Sequence, residues 1–273
     1  MTGRAVLTTG ANSGLGLATV LELARRGFRS IGTARTEAKA DVVRKAARDA
    51  GVTVEVVLLD VTDAAGCTEV VEGIEDLYGL VNNAGIGVTG AIEETSDDEA
   101  RAVIETMLIA PMRLARLAIA PMRAGGGGRI VNISSIYGRT TTPLTGWYQA
   151  AKHGLEGATD ALRMEVARDG IAVSLVEPGA FKTAIFDDAK RDIDMRGASS
   201  YRTGYERTLQ VLRMSSPMMG DPNTVARLVA TICSTRYPRA RYLVGNDAQV
   251  LALADRLTPT FVKDIVIRRT FGL

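Results

Sequence analysis

A tyrosine stands four positions ahead of a lysine in "YQAAK", residues 148–152, inside a stretch that otherwise reads as a packed helix. A phenol has an ordinary pKa of about 10 and is a poor acid or base at neutral pH, but a nearby ammonium stabilises its phenolate and lowers that value. Residues four apart share a helix face, so Tyr148 and Lys152 can line one cleft, with Lys152 tuning Tyr148. The spacing alone is common, and a solvated helix pair has the same pattern.

A second chemical feature lies near the N-terminus. In "TTGANSGLGLA", Gly10, Gly14 and Gly16 close an apolar run and open a helical stretch. Glycines there permit a tight turn and let backbone N–H groups reach a pyrophosphate at the positive end of the helix. An ordinary strand–helix turn has the same glycines, but this one sits on the first junction of an alternating series. Sites of this kind that bind NAD usually carry an acid about 20 residues further on. Here the second strand ends "GTARTEAK", which puts Arg35 in that neighbourhood with Lys39 nearby. A guanidinium neutralises a 2′-phosphate with forked donors, so residue type favours NADP over NAD. Two alternatives stay open: Arg35 as a solvated strand-end residue, and Glu37 as a partner for the ribose. Lys152 can in addition hydrogen-bond a sugar hydroxyl of such a cofactor.

The elements that must position these residues are legible as apolar runs: "AVLTTG", "RSIGTA", "VEVVLLD", "YGLVNNAG", "GRIVNISS", "AVSLVEPG" and "ARYLVG". Between them lie amphipathic stretches such as "LGLATVLELARRG" and "DALRMEVARDG", which end in glycine as helices often do. Strands that are apolar throughout, alternating with helices, imply a parallel sheet covered on both faces. The expected fold is α/β: one doubly wound, Rossmann-type domain over residues 1–273 with a seven-stranded parallel sheet. The run Gly125 to Gly128 precedes a strand, not a helix, and is expected to be a turn without ligand. Residues 181–220 are polar, charged and Met-rich, and such excursions tend to be functional covers with helical pieces of their own.

Taken together, the motifs resemble the short-chain dehydrogenase/reductase family over nearly the whole chain. They are "TGANSGLG" at 9–16, "LDV" at 59–61, "NNAG" at 82–85, "NISS" at 132–135, "YQAAK" at 148–152 and "PGAFKT" at 178–183. The long segment after Thr183 and the tail ending "RRTFGL" look similar to steroid- and retinol-type members of that family. The family distance to the tyrosine selects Ser135 over Ser134 as the catalytic serine. By the same resemblance Tyr148 is the general acid or base, Ser135 orients the substrate oxygen, and Lys152 lowers the tyrosine pKa and binds the nicotinamide ribose. Gly10, Ser13, Gly14, Leu15 and Gly16 would cradle the cofactor pyrophosphate, and Asp60 and Val61 would contact the adenine. Asn83, Ala84 and Gly85 would support the sheet beside the cofactor, and Pro178, Gly179 and Thr183 would hold the nicotinamide end. The implied activity is NADP(H)-dependent interconversion of an alcohol and a ketone or aldehyde on a small lipophilic molecule, in a homodimer or homotetramer. One departure stands out: many members have an asparagine at the position of Met107, where it helps hold a water relay to the lysine. Either the Met107 backbone carbonyl or another polar group takes over, or proton transfer is impaired and the chain is a dinucleotide-binding regulator or scaffold.

Composition excludes other classes. The 273 residues include 33 basic and 31 acidic ones, so there is no basic footprint for nucleic acid. Apolar residues make up 46%, enough for a sizeable core. No run approaches the about 18 apolar residues of a membrane span, and the N-terminus is too short for a signal-peptide core. The amphipathic tail "VLALADRLTPTFVKDIVIRR" is expected to pack on its own domain or on a subunit partner. Cys67 and Cys233 fit neither a redox pair nor a metal cluster, which suggests buried thiols, no metal site and a cytoplasmic setting. His153, next to Lys152, points to another helix face and reads as a packed or surface residue.

Overall fold

The computed structural model describes residues 3–181 and 185–273. Strands and helices alternate from the start: β1 (Ala5–Thr8), α1 (Gly14–Arg25), β2 (Arg29–Ala34), α2 (Glu37–Asp49), β3 (Glu55–Leu58) and α3 (Ala64–Glu72). β4 (Leu77–Asn82) is followed by α4 (Asp97–Ile104), a π turn over Glu105–Ile109, and α5 (Ala110–Ala124). β5 (Gly128–Ile133) leads to the longest helix, α6 (Gly146–Glu165). Three helices follow β6 (Ile171–Pro178): α7 (Ile185–Met195), α8 (Arg202–Ser215) and α9 (Pro222–Ser234). The chain closes with β7 (Arg241–Val244), α10 (Asn246–Leu257) and α11 (Thr260–Phe271).

All seven strands pair in parallel in one sheet of order β3-β2-β1-β4-β5-β6-β7, the doubly wound arrangement expected. Neighbouring residues on a strand face opposite sides. Leu7, Leu80 and Ile130 pack with Cys67, Leu114 and Met122 on one face, while Val6, Val81 and Val131 pack with Leu23, Val225 and Val229 on the other. Both faces are covered, which is why the strands read as unbroken apolar runs. Both cysteines are free and buried, and burial pushes each thiol up, Cys233 to about 12. The glycine run before β5 has a structural reason: Gly127 takes φ +125°, and a Cβ there would stand 2.5 Å from the Gly170 carbonyl oxygen.

Because the chain runs outward from β1 to β3 and then returns to β4, a crevice opens at the C-terminal ends of β1 and β4. Residues after β5 and β6 line the same edge. The segment after Phe181 supplies α7 and α8, which dock on the loop between β4 and α4. Asp192 accepts from Thr89 N at 2.9 Å, and the Tyr205 hydroxyl accepts from Ala91 N at 2.8 Å and donates to Glu94 Oε2 at 2.6 Å. Arg196 donates to Glu94 O at 2.7 Å and to Glu99 Oε1 at 2.8 Å, which holds the Glu99 carboxyl below its ordinary range. The tail packs on its own chain only in part. Arg207 donates to Arg269 O at 2.5 Å, tying α11 to α8, but Leu257, Phe261 and Ile265 stay exposed. Among the described residues no helix is long and apolar enough to cross a membrane.

Candidate active site

The glycine turn is built by close approach. Gly10 takes φ +66° and abuts the segment after β4, where a Cβ on it would stand 2.9 Å from Ala84 Cα. A Cβ on Gly16 would stand 2.2 Å from Gly10 O and 2.5 Å from Asn83 Nδ2, so only glycine lets α1 start so near the sheet. Ser13 is the N-cap of α1 but makes no side-chain capping bond, which leaves the first-turn amides open to an anion. Leu15 turns inward to the core.

Thr9, a residue that sequence reasoning passed over, joins this turn to the β4 end. Its hydroxyl accepts from Asn83 N at 3.0 Å and Ala84 N at 2.9 Å, and Asn83 Nδ2 donates back to Thr9 O at 2.9 Å. Deeper in the sheet, Asn82 Nδ2 donates to Asn132 Oδ1 at 2.8 Å and Pro111 O at 3.0 Å, and Asn132 Nδ2 donates to Thr159 Oγ1 at 2.8 Å. That chain locks β4, β5, α5 and α6 in register. Its signal was present as asparagines inside otherwise apolar runs, which are tolerated only when hydrogen-bonded.

Arg35 is exposed just past β2, beside Thr36, the N-cap of α2. The Glu37 carboxylate is taken up by Arg44 at 2.5 Å, whereas Arg35 is near enough to Asp60 to act on its carboxyl. Asp60 accepts from Thr62 N at 2.9 Å and from Thr62 Oγ1 at 2.7 Å, and these bonds, with Arg35 nearby, hold its carboxyl low. Val61 is buried beside it.

Ser135, Tyr148 and Lys152 come together at the ends of β5 and α6. Gln149 pins the first turn of α6 by donating to Thr145 Oγ1 at 2.7 Å and Thr142 O at 3.0 Å, and so aims Tyr148. Ser135 is buried and accepts from Tyr137 N at 3.2 Å, and the Tyr137 ring meets Tyr148 edge-on at 6.3 Å. Lys152 Nζ donates to Ile133 O at 2.7 Å and stands 5.9 Å from the Tyr148 ring centroid. Burial dominates both groups. It pushes the phenol above its ordinary value against an opposing hydrogen bond from Ser135, and it pushes the ammonium of Lys152 down to about 8 against the pull of Glu156. Burial is therefore the ruling effect on the phenol, and the Lys152 ammonium, still charged, uses one of its donors on the Ile133 carbonyl.

At the end of β6, Pro178 is buried, Gly179 N donates to Val244 O at 2.8 Å, and Ala180 N donates to Asp247 Oδ2 at 2.6 Å. Thr183 lies outside the described residues. His153 is exposed with its ring on Gln149 O, away from the pair.

Met107 lies in the π turn, 2% exposed, packed with Ala151 and Tyr148, and its Cε would stand 3.5 Å from a Cβ on Gly85. Pro111 follows four residues later and has no N–H, so the Met107 carbonyl cannot make the usual α-helical bond. The signal for a freed carbonyl was in the sequence as that proline.

Residues 4–194 match the short chain dehydrogenase family. Over its length the chain is 31% identical to retinol dehydrogenase 5 of Homo sapiens, covering 96% of this chain and 87% of that one. It is 31% identical to 3-ketodihydrosphingosine reductase of Bacteroides thetaiotaomicron, covering 90% of this chain and 89% of that one. A variant of actinorhodin polyketide ketoreductase, solved with NADPH, superposes with a TM-score of 0.78 at 29% identity, covering 92% of this chain and 99% of that one.

Proposed function

We propose that this chain, which belongs to the short-chain dehydrogenase family, is an NADP(H)-dependent oxidoreductase interconverting a secondary alcohol and a ketone or aldehyde on a mostly apolar small molecule. The observation that carries the reading is the convergence of Ser135, Tyr148 and Lys152 beside a glycine turn with no room for a side chain at Gly10 or Gly16. A bound nicotinamide supplies the hydride in reduction and takes it in oxidation. Gly10, Gly14 and Gly16 let the α1 amides approach the pyrophosphate, Arg35 meets the 2′-phosphate, and Asp60 and Val61 border the adenine. Asn83, Ala84 and Gly85 wall the site, and Pro178 and Gly179 border the nicotinamide. NADP over NAD is favoured by Arg35, by the capture of Glu37 on Arg44, and by the NADPH-bound relative.

Ser135 holds the substrate oxygen by a hydrogen bond, and Tyr148 delivers its proton to that oxygen as the carbonyl is reduced. A phenol that burial keeps protonated suits this direction. Lys152 steadies the phenolate left behind and reaches the nicotinamide ribose. Proton return to Lys152 passes by the Met107 carbonyl, which Pro111 leaves without its α-helical partner. The names of the relatives, a retinol dehydrogenase and two reductases of keto groups, support an apolar substrate. Exposed Ile109 and Met164, next to and on α5 and α6, support a homo-oligomer joined through those helices, which size-exclusion chromatography with light scattering would check.

A second reading, a dinucleotide-binding regulator without turnover, draws on Met107, since no side-chain amide stands at that place. NADPH oxidation against a panel of apolar ketones and aldehydes separates the two. The parent is expected to turn over and Tyr148→Phe to lose about 10²-fold or more in kcat while still binding NADPH, as removal of a general acid demands. Tight NADPH binding with no turnover on any member of the panel would favour the regulator.

A further inference from the structure

One helical turn beyond Lys152, on the same face of α6, lies a carboxylate that the proposed chemistry does not use. Glu156 is 7% exposed, and Glu177, on the neighbouring β6, is wholly buried. Two acids buried side by side require counter-charges. Arg241 of β7 supplies one, bonding Glu156, Asp160 and Glu177, the last at 3.0 Å. Arg139, in the turn after β5, bonds Glu177 Oε2 at 2.6 Å, and Arg163 bonds Asp160 at 2.5 Å. Three carboxylates thus meet three guanidiniums in one connected cluster directly behind the catalytic strand end.

The cluster touches the site through Glu156. Its Oε1 and the Ser134 hydroxyl are both buried and crowd Gly138, where a Cβ would stand 3.0 Å from the first and 2.7 Å from the second. Ser134 sits between Ile133, whose carbonyl receives the Lys152 ammonium, and Ser135. Burial above all, with the adjacent Glu177, pushes the Glu156 carboxyl up against the pull of Arg241, whose guanidinium is paired with it. The charged and titratable groups facing the Lys152–Glu156 face are Tyr148, Asp160 and Arg163 of α6, Tyr137 and Arg139 of the turn after β5, Glu177 of β6 and Arg241 of β7.

We propose that Glu156 is a positioning residue for the catalytic pair: clamped by Arg241 one helical turn from Lys152, its buried carboxylate is the counter-charge to the Lys152 ammonium. The role assigned to Lys152 comes from the function proposed above, but the electrostatic coupling does not depend on turnover.

The chain has six lysines, which makes a lysine-selective NMR titration of the ligand-free protein readable. The Lys152 side-chain signal is expected to titrate near pH 8 in the parent. In Glu156→Gln its midpoint should fall by about half a pH unit or more, a factor of roughly 3 in the ionisation constant. Glu156→Asp, which retains the charge, should restore most of the shift. The same coupling read from the other side needs no change in the cluster: in Lys152→Met the Glu156 midpoint should rise by a similar amount, and this decides the matter if Glu156→Gln does not fold. In active preparations the alkaline limb of the rate profile should move with the Lys152 midpoint. An unmoved Lys152 midpoint in Glu156→Gln with only a lower Tm, or an unmoved Glu156 midpoint in Lys152→Met, would overturn the proposal. Either NMR outcome stands whether or not the protein reduces a carbonyl.

Discussion

Replacing Thr9 by valine keeps shape and volume while deleting a single oxygen, and the structure says what that oxygen carries. Thr9 is 1% exposed, and its hydroxyl is the acceptor for both Asn83 N and Ala84 N, at 3.0 and 2.9 Å. Valine would leave two half-buried amides without a partner, at about 1–2 kcal/mol each, so Thr9→Val should lose roughly 2–4 kcal/mol of stability. For a chain of this size that corresponds to a Tm lower by roughly 5–10 °C. Thr9→Ser keeps the acceptor and loses one methyl group, worth only about 1 kcal/mol. Because Gly10 abuts Ala84 with no room for a Cβ, a shift of the Asn83–Gly85 segment is transmitted to the cofactor turn, and NADPH binding should weaken in the valine variant more than in the serine one. Thermal and urea unfolding of the three proteins, with NADPH titrated by fluorescence, give the comparison. Thr9→Val as stable as Thr9→Ser would refute the argument that this one oxygen bonds the glycine turn to β4.

Arg35→Ala should weaken NADPH binding by about tenfold, the loss of one exposed charge-assisted contact, and leave NADH binding unchanged; equal losses for both cofactors would dismiss Arg35 as the 2′-phosphate partner. Met107→Asn should leave kcat within about threefold of the parent, under ~0.7 kcal/mol in barrier, if the backbone carbonyl freed by Pro111 already serves the relay; a gain of tenfold or more would show that the amide was missed. Burial lowers Lys152 to about 8, whereas an unfolded lysine keeps its proton to about 10.4, so the unfolded chain binds more protons in that window and the charge on Lys152 costs stability below it. The Lys152 contribution to stability should accordingly rise between about pH 8 and pH 10, measured as the difference in urea midpoint between the parent and Lys152→Met, while reductase activity falls over the same range as the ammonium is lost; a difference that is flat with pH would contradict the burial argument.

The sheet was legible because both its faces are buried: Leu80 and Val81, adjacent in β4, enter opposite cores, so the run contains no polar alternation to confuse. The pair Tyr148 and Lys152 was legible because helical spacing fixes a shared face. What spacing does not convey is how deeply the pair is buried or what else it touches: the strand end brings the Ile133 carbonyl within 2.7 Å of Lys152 Nζ, a contact between residues 19 apart that no local pattern encodes. "VIETMLIAP" likewise reads as uninterrupted helix, although Pro111 withholds the donor that Met107 would need, and the chain relaxes through a π turn. Glu177 sat in plain view as a charge inside an apolar strand, yet naming its partners required knowing that β7 lies beside β6 and carries Arg241 inward.

Desolvation also orders the proton transfers. In water a phenol and a lysine ammonium have nearly equal acidity, about 10 and 10.4, and neither drives a proton to the other. Here burial raises Tyr148 above its ordinary value and lowers Lys152 to about 8, so the ammonium becomes the stronger acid. In the proposed reduction, where Tyr148 gives its proton to a substrate oxygen, this order favours recharging the phenolate from Lys152, and the resulting amine would regain its proton by the proposed route past Met107. The same burial that makes Lys152 a ready donor makes it reluctant to be recharged. A counter-charge behind it limits that reluctance, and Glu156 is placed to supply one: too weak a counter-charge would leave Lys152 neutral at working pH, and too strong a one would return its acidity to that of the phenol and remove the drive for the transfer.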